Sequence, residues 1–255
     1  MKQAIVVVGI GEMGSVFARG FLRLGHPVYP VTRTIDMQDA AKTITDPLAV
    51  FIAVAEQELP GVLKQIPSEW RDKLCLLQNE LLPRDWAGVQ APTVISVWFE
   101  KKRGMDTKVI IPSPVFGPHA QLLADALGTI AIQARVLNNP DELLFELVVK
   151  NLYILTSNIA GLKTGGTVGE LWQNHQTFAR EVATDIITLQ EAMTESYLDH
   201  DKLITAMVDA FNGDPQHQCM GRSAPARLER ALINAKQFDL HLPALQAIAT
   251  ERSKT

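Results

Sequence analysis

The feature that most constrains the fold is a glycine cluster that separates a strand pattern from a helix pattern. The apolar run Ala4–Val8 leads into a Gly-x-Gly-x-x-Gly sequence over residues 9–14. Apolar residues then recur at helical spacing over Gly14–Leu24, and a second β-branched run follows at Val28–Val31. A strand, a helix and a second strand in this order predict a βαβ unit, whose two strands are parallel neighbours in one sheet.

The same alternation continues through the first half of the chain and then stops. Further strands are predicted at Ala49–Val54, Leu74–Leu77, Val94–Phe99, Lys108–Ile111 and Thr129–Gln133. Beyond about residue 135 the pattern is helical, and helices are predicted over residues 142–159, 176–195, 201–211 and 224–236. We therefore predict an α/β fold with an N-terminal doubly wound parallel sheet of Rossmann type (residues 1–136) and a second, smaller all-helical domain (residues 137–255).

Composition excludes several classes of partner. The 255 residues include 24 Lys and Arg against 28 Asp and Glu, a net charge of -4, so no basic surplus is present to bind nucleic acid or an anionic membrane. No uninterrupted apolar run has the length of a membrane span, and we expect a cytoplasmic protein. Cys75 and Cys219 lie far apart and the six histidines are scattered, so neither a disulfide framework nor a metal site is predicted.

The spacing of the glycines suits a dinucleotide pyrophosphate. Gly9 permits a tight turn, Gly11 lets the backbone approach the phosphates, and Gly14 lets the helix pack close to the strand. The helix N-terminus presents N–H groups to the phosphate charge. The alternative is a glycine-rich turn without a ligand. The residues predicted to bind the cofactor here are Gly9, Ile10, Gly11, Glu12, Met13 and Gly14.

The end of the second predicted strand indicates which dinucleotide binds. NAD-binding units place Asp or Glu there to accept a hydrogen bond from the ribose 2′-hydroxyl. This chain has Thr32, Arg33 and Thr34 instead, and its first acid, Asp36, lies beyond the expected position. A guanidinium at Arg33 matches a 2′-phosphate, and either threonine hydroxyl adds a donor, so NADP is the predicted cofactor. The alternative is that Arg33 is a solvated residue at the end of a strand.

The order of these features resembles that of the ketopantoate reductases. The shared features are the glycine motif, an Arg after the second strand, a Gln-Asn turn at Asn79, and a helical half that opens with Lys150. Asn158 and the sequence Gly-Glu-Leu at residues 169–171 keep the family's register after that lysine. The resemblance implies an NADPH-dependent reductase of a small oxo acid.

The resemblance also implies roles for three of these residues. Asn79 would contact the nicotinamide side of the site, Lys150 would polarise the substrate carbonyl and protonate the new alkoxide, and Asn158 would hold the substrate. The alternative for Lys150 is a side chain that extends from an amphipathic helix into solvent, with Asn151 beside it.

The chain departs from the family pattern at several positions. Ile154 stands where the first helix Asn is expected, and Ala55 stands at the position of a family lysine near the cofactor. An ungapped alignment places Ser223 at the family glutamate that binds substrate hydroxyls, whereas a six-residue deletion would select Glu229. We therefore expect ketopantoate itself to be a poor substrate. Two alternatives remain: an enzyme like the β-hydroxyacid and imine dehydrogenases, and a non-catalytic NADPH-binding sensor or partner protein.

The helical half also predicts the oligomeric state. About 115 residues arranged as a few long helices with broad apolar stripes carry more apolar surface than they bury alone. We expect a homodimer whose contact the helical half largely supplies.

Overall fold

The computed structural model of the chain describes residues 2–253. Within them lie nine strands: β1 (Ile5–Val8), β2 (Val28–Val31), β3 (Ala49–Ile52), β4 (Leu74–Gln78), β5 (Thr93–Ser96), β6 (Phe99–Glu100), β7 (Lys108–Val109), β8 (Ser113–Phe116) and β9 (Ala134–Val136). Seven of them form one sheet in the order β2-β1-β3-β4-β5-β8-β9, parallel except for the β5–β8 pair. This arrangement confirms the predicted doubly wound sheet.

The same part of the chain contains ten α-helices. They are α1 (Glu12–Arg23), α2 (Met37–Thr43), α3 (Leu59–Gln65), α4 (Ala120–Gly128), α5 (Pro140–Thr164), α6 (Val168–Asn174), α7 (Gln176–Thr194), α8 (His200–Gly213), α9 (Ala224–Gln237) and α10 (Pro243–Arg252). Sequence periodicity did not predict the short helices α2, α3 and α6, or the C-terminal α10. A helix of two turns shows too little periodicity to be recognised from its apolar spacing alone.

The core of the sheet domain explains why its strands are continuous apolar runs. All four residues of β1 and all four of β3 are buried, as expected for central strands covered by helices. The rings of Phe17 and Phe51 lie 4.2 Å apart, so α1 packs directly on β3. At Gly20 a Cβ would lie 2.5 Å from the carbonyl oxygen of Ala126, so this glycine lets α1 and α4 pack closely.

The strand predicted at Thr129–Gln133 is wrong. These residues close the C-terminus of α4, because the N–H groups of Ile130 and Ile132 both donate to the Leu127 carbonyl at 3.0 Å. Ala131 takes a positive φ of 61° in the same turn. The helix end therefore uses the backbone groups that a strand would pair, and the edge strand β9 begins one residue later.

Two other predicted strands are shorter than expected. The run Val94–Phe99 divides into β5 and β6, and between them the Trp98 N–H donates to the Ser113 hydroxyl at 2.9 Å. The run Lys108–Ile111 forms only β7, which pairs with β6 in a separate two-stranded sheet. The sixth strand of the main sheet is instead β8, which the sequence analysis did not identify.

The chain divides into two compact units between Leu147 and Val148, a point within α5. The prediction placed the boundary between residues 136 and 137, before that helix begins. The second unit is helical, and α7 packs against α6, α8, α9 and α10.

Helix α5, which carries the candidates Lys150 and Asn158, is long and largely apolar. It is the one helix within residues 2–253 whose length and composition would allow it to cross a bilayer, although Glu146 and Lys150 interrupt its apolar sequence. Of its most apolar 18-residue window, 72% is buried within the protein, which is typical of a core helix.

A buried carboxylate joins α7 to α10. Asp185 on α7 is 6% exposed and accepts a hydrogen bond from the Leu245 N–H at 3.0 Å, in the first turn of α10. Burial raises the pKa of Asp185 above its ordinary value, and the N–H groups of Leu245 and Ala244 act in the opposite direction. Asp185 thus caps the helix at a desolvation cost.

Candidate functional site

Two close backbone contacts in the glycine turn leave no room for a side chain. Gly9 has a φ of +89°, and a Cβ there would lie 2.6 Å from the Ala53 carbonyl oxygen. A Cβ at Gly14 would lie 1.9 Å from the Gly9 carbonyl oxygen. The backbone of the turn therefore packs against the end of β3 and against the first turn of α1, as the motif predicts.

Gly11 differs from the other two glycines. It is the N-cap residue of α1, and a Cβ there would meet no protein atom within 4 Å. Gly11 also lines a cavity, so a side chain there would occupy space open to a ligand. The first N–H groups of a helix lack intrahelical acceptors and carry partial positive charge. This turn fits the pyrophosphate of a dinucleotide.

The cavity lies at the carboxyl ends of β1, β2 and β3 and has a volume of about 860 Å³. That volume is within the range of cofactor sites, and the carboxyl edge is where parallel α/β sheets bind ligands. Its lining includes part of the glycine turn, the residues after β2 and those after β3, namely Gly9, Ile10, Gly11, Thr32, Arg33, Thr34, Ala55 and Glu58. The fold thus brings together most of the residues predicted to bind the cofactor.

Arg33 is paired with an acid that sequence reasoning missed. Its Nη2 lies 2.8 Å from Glu58 Oε1, while 89% of the Arg33 side chain is exposed. Glu58 also accepts a hydrogen bond from the Ala55 N–H at 3.3 Å, which holds its carboxylate in the turn after β3. Nothing in the local sequence marks Glu58, because it meets Arg33 only through the pairing of strands β1, β2 and β3.

The acid that lies nearest to Arg33 in sequence has a different role. Asp36 is the N-cap of α2, and its carboxylate accepts hydrogen bonds from the N–H groups of Gln38 and Asp39 at 2.8 and 3.0 Å. The hydroxyls of Thr32 and Thr34 lie 3.0 Å apart beside Arg33. Asp36 therefore serves as a helix cap.

Asn79 lies at the end of β4 and is half-buried. The N–H groups of Asn79 and Glu80 donate to a single oxygen of Glu56, at 3.1 and 2.7 Å, so that carboxylate fixes the turn. Asn79 is not among the described residues that line the 860 Å³ cavity. Ala55 does line it, at the position where the resemblance would place a lysine.

The second group of candidates lies on α5, in the second unit. Lys150 is 6% exposed and Asn151 is 3% exposed, so the alternative of two solvated side chains is wrong. The Lys150 ammonium lies 5.7 Å from the centre of the Tyr153 ring. Asn158, two turns further along, is also buried. Lys150, Ile154 and Asn158 follow at intervals of four, so they share one helix face.

An arginine from another helix meets this face, and sequence reasoning missed it. Arg227 on α9 donates to Asn158 Oδ1 at 2.9 Å. Ser223, the N-cap of α9, is exposed, and so is Glu229. Neither position considered for the family glutamate is thus a buried carboxylate, and the contact to Asn158 is made by a cation.

Burial favours the neutral forms of the two cysteines and of His119. Burial raises the pKa of the Cys75 and Cys219 thiols to about 12. Burial lowers the pKa of His119, and the backbone N–H of His119 donates to the Thr93 hydroxyl at the start of α4. Within residues 2–253, no group of three or more His, Cys, Asp or Glu side chains is placed to hold a metal ion.

No protein-family model and no curated protein sequence matches the chain. Solved structures do match it. A 2-dehydropantoate 2-reductase from Methylococcus capsulatus is similar with a TM-score of 0.71 and 14% identity, over 98% of this chain and 96% of that chain. A dimeric ketopantoate reductase from Staphylococcus aureus has a TM-score of 0.64 and 16% identity, over 97% and 96%.

A D-mandelate dehydrogenase in complex with NADH is similar over 98% of this chain and 99% of that chain, with a TM-score of 0.66 and 14% identity. The three structures share the fold of this chain across nearly its whole length. The likeness to ketopantoate reductases that the sequence suggested is therefore confirmed for the fold.

Proposed function

We propose that this protein is an NADPH-dependent oxidoreductase that reduces a small 2-oxo acid or a related carbonyl compound. The observation that carries the proposal is the cavity at the carboxyl ends of β1, β2 and β3, with the glycine turn on one side and Arg33 on the other. Its volume, its position and its donors suit a dinucleotide.

Arg33 supports the choice of NADP. Its guanidinium lies at the rim of the cavity, beside two threonine hydroxyls, where a 2′-phosphate would accept charge-assisted hydrogen bonds. Asp36, the nearest acid in sequence, caps α2. Glu58 opposes this preference, because its carboxylate already binds Arg33 and would repel a phosphate.

The chemistry is a hydride transfer, and bound NADPH supplies the hydride. Lys150 would polarise the substrate carbonyl with its ammonium and would donate a proton to the carbonyl oxygen. Asn158 would hold the substrate by its amide, and Asn79 would contact the nicotinamide. Ala55 and Ser223 take the places of the family's lysine and glutamate, so ketopantoate is expected to be a poor substrate.

Calorimetric titration and a steady-state assay test this proposal together. We expect NADPH to bind more tightly than NADH, and a panel of 2-oxo acids to show NADPH oxidation, with ketopantoate among the slower members. Failure of the protein to bind either dinucleotide would refute the proposal. Tight NADPH binding without turnover of any carbonyl compound would instead support a sensor, which the replacements at Ala55 and Ser223 would explain.

We also propose a homodimer and a cytoplasmic location. The second unit exposes large apolar side chains, including Tyr197 at 94%, Ile233 at 51% and Met220 at 49%. Exposed apolar groups of this size favour burial against a second copy of the chain. Light scattering at micromolar concentration should give twice the mass of 28.1 kDa, and a monomer would contradict the expectation.

A further inference from the structure

We propose that the first unit has a second binding site, which takes a small aromatic carboxylate and which the proposed reductase function does not use. The site is a cavity of about 660 Å³ at the amino ends of β4 and β5. Its walls come from α3, from the 3₁₀ helices Ser68–Lys73 and Pro83–Trp86, and from the chain that leads into β5. This volume is in the range of sites that bind small ligands.

The second cavity is separate from the candidate cofactor cavity. Strands β1 to β5 are parallel, so their amino ends lie opposite to the carboxyl ends that surround the glycine turn. Helix α3 contributes to both cavities with different residues. Gly61, Val62 and Gln65 line the cofactor cavity, whereas Pro60, Leu63 and Lys64 line the second one. Within residues 2–253 no residue lines both, so a ligand of the second cavity need not displace a dinucleotide.

The floor of the second cavity is apolar. Ile66, Leu74 and Trp86 line it and are only 2%, 3% and 6% exposed. The half-buried side chains of Leu63 and Val89 extend this apolar lining. A planar ring buries apolar area against such side chains, and Trp86 supplies an aromatic partner for it. An aromatic ring is therefore the part of a ligand that suits the floor.

The rim of the second cavity carries charges that favour an anion. Lys64 and Arg71 line the cavity, are exposed and make no ion pair within residues 2–253. Asp72 also lines the rim and opposes them, so two cations face one acid. The Asp85 carboxylate accepts a backbone N–H at 2.8 Å within its own turn. Arg84, a third cation of the lining, already takes part in another interaction.

The floor and the rim together define the ligand. A compound with a ring at one end and a carboxylate at the other meets the apolar side chains and the cations at the same time. Both an ammonium and a guanidinium bind a carboxylate by charge-assisted hydrogen bonds. A neutral compound with the same ring would fill the floor and gain no charge interaction at the rim. The negative charge is therefore the property that the site should select.

Calorimetry with two probes that differ only in charge tests this proposal. 2-Naphthoate and 2-naphthamide share one ring system, and only the first is an anion. The wild type should bind 2-naphthoate about fivefold more tightly, the scale of exposed charge pairs. Lys64→Gln/Arg71→Gln should remove this preference and retain the affinity for 2-naphthamide. Asp72→Asn should act in the opposite direction and strengthen the binding of 2-naphthoate by a few fold.

Arg19→Gln/Lys236→Gln is the matched control, because it removes two exposed cations that line neither cavity. It makes the same change in net charge and should retain the preference, and circular dichroism should show that every variant is folded. Equal affinity of the wild type for the two probes, or binding of neither, would overturn the proposal. So would an equal loss of 2-naphthoate binding in both double variants, because the overall charge of the protein would then be responsible.

A competition experiment distinguishes this site from the cofactor cavity. Saturating NADPH should leave the affinity for 2-naphthoate nearly unchanged. Displacement of 2-naphthoate by NADPH would place the probe in the cofactor cavity and overturn the proposal. If the protein does not bind NADPH, the reductase proposal fails, whereas the charge preference and its loss in Lys64→Gln/Arg71→Gln still decide whether the second site exists.

Discussion

The glycine turn of the first unit and the α5 face of the second unit are built in opposite ways. The turn is formed by the backbone of six consecutive residues, and its geometry depends on the glycines at positions 9 and 14, where a Cβ would clash. The α5 face is made of side chains, and Arg227 comes to it from 69 residues away in sequence. A site of the first kind is visible as a motif, whereas a site of the second kind depends on how helices pack.

The pair of Arg33 and Glu58 lies between these extremes. Arg33 follows β2 directly and was predicted to contact the cofactor. Glu58 lies 25 residues away, and parallel strands bring it to 2.8 Å. The predicted preference for the 2′-phosphate of NADPH thus depends on Glu58, which meets Arg33 only when the strands of the sheet pair.

We expect the largest effect at Gly14, where the turn leaves no room for a Cβ atom. Gly14→Ala places a Cβ 1.9 Å from the Gly9 carbonyl oxygen, so the backbone must shift. We expect a loss of about 3 kcal/mol or more in the free energy of unfolding, together with loss of dinucleotide binding. Gly128→Ala is the control, because a Cβ there meets nothing within 4 Å. Denaturant unfolding and calorimetry measure both effects, and unchanged NADPH binding in Gly14→Ala would contradict the assignment.

A change on the α5 face should impair turnover and leave dinucleotide binding intact. Lys150→Ala should lower turnover by about a hundredfold or more, the scale of a positioned general acid, and leave NADPH affinity within a few fold. Lys163→Ala, an exposed lysine on the same helix, should affect neither. If Lys150→Ala loses cofactor affinity in parallel with turnover, the lysine is structural.

A smaller effect is expected at the rim of the cavity. Arg33→Ala should weaken NADPH binding by about 1.5 to 3 kcal/mol and leave NADH nearly unchanged, because only NADPH carries the 2′-phosphate. Glu58→Gln removes the carboxylate that holds Arg33 and should strengthen NADPH binding by a few fold. Calorimetric titrations with both dinucleotides provide the measurement. Equal affinities of the wild type for NADH and NADPH would exclude Arg33 as the selecting residue.

The smallest effect concerns stability rather than function, at the buried cap of α10. The pKa of Asp185 is raised in the folded protein above the ordinary aspartate pKa of 3.8. The wild type therefore loses stability as the pH rises from 3.8 through the pKa of the folded protein. Asp185→Asn retains an acceptor for the Leu245 N–H and has no charge to desolvate. We expect its free energy of unfolding at pH 7 to lie within about 1 kcal/mol of the wild type or above it.

The measurement for Asp185 is the difference in unfolding free energy between wild type and Asp185→Asn across pH 4 to 8. As the pH rises, the variant should become more stable relative to the wild type. A shift in the opposite direction would show that the ionised carboxylate stabilises α10 by more than its burial costs. Asp185→Ala, which leaves the backbone N–H groups without that acceptor, should be less stable by about 1 to 3 kcal/mol.

Much of the first unit could be predicted because its patterns are local. The short apolar runs at β1 to β4 and the helix after the glycines each follow from the properties of consecutive residues. The errors came where tertiary contacts outweighed local preference. The residues Thr129–Gln133 have strand propensity, yet they close α4 because the Leu127 carbonyl takes the N–H groups of Ile130 and Ile132. Helices α6 and α10 are too short to show a reliable period.

The sequence by itself determined the class of the sheet domain, the glycine turn and the helical character of the second half. These follow from side-chain periodicity and from the conformations that glycine alone allows. The tertiary structure decided that Lys150 is buried and which distant residues meet Arg33 and Asn158. Such contacts join residues that are far apart in sequence, so they arise only when strands pair and helices pack, and no local pattern encodes them.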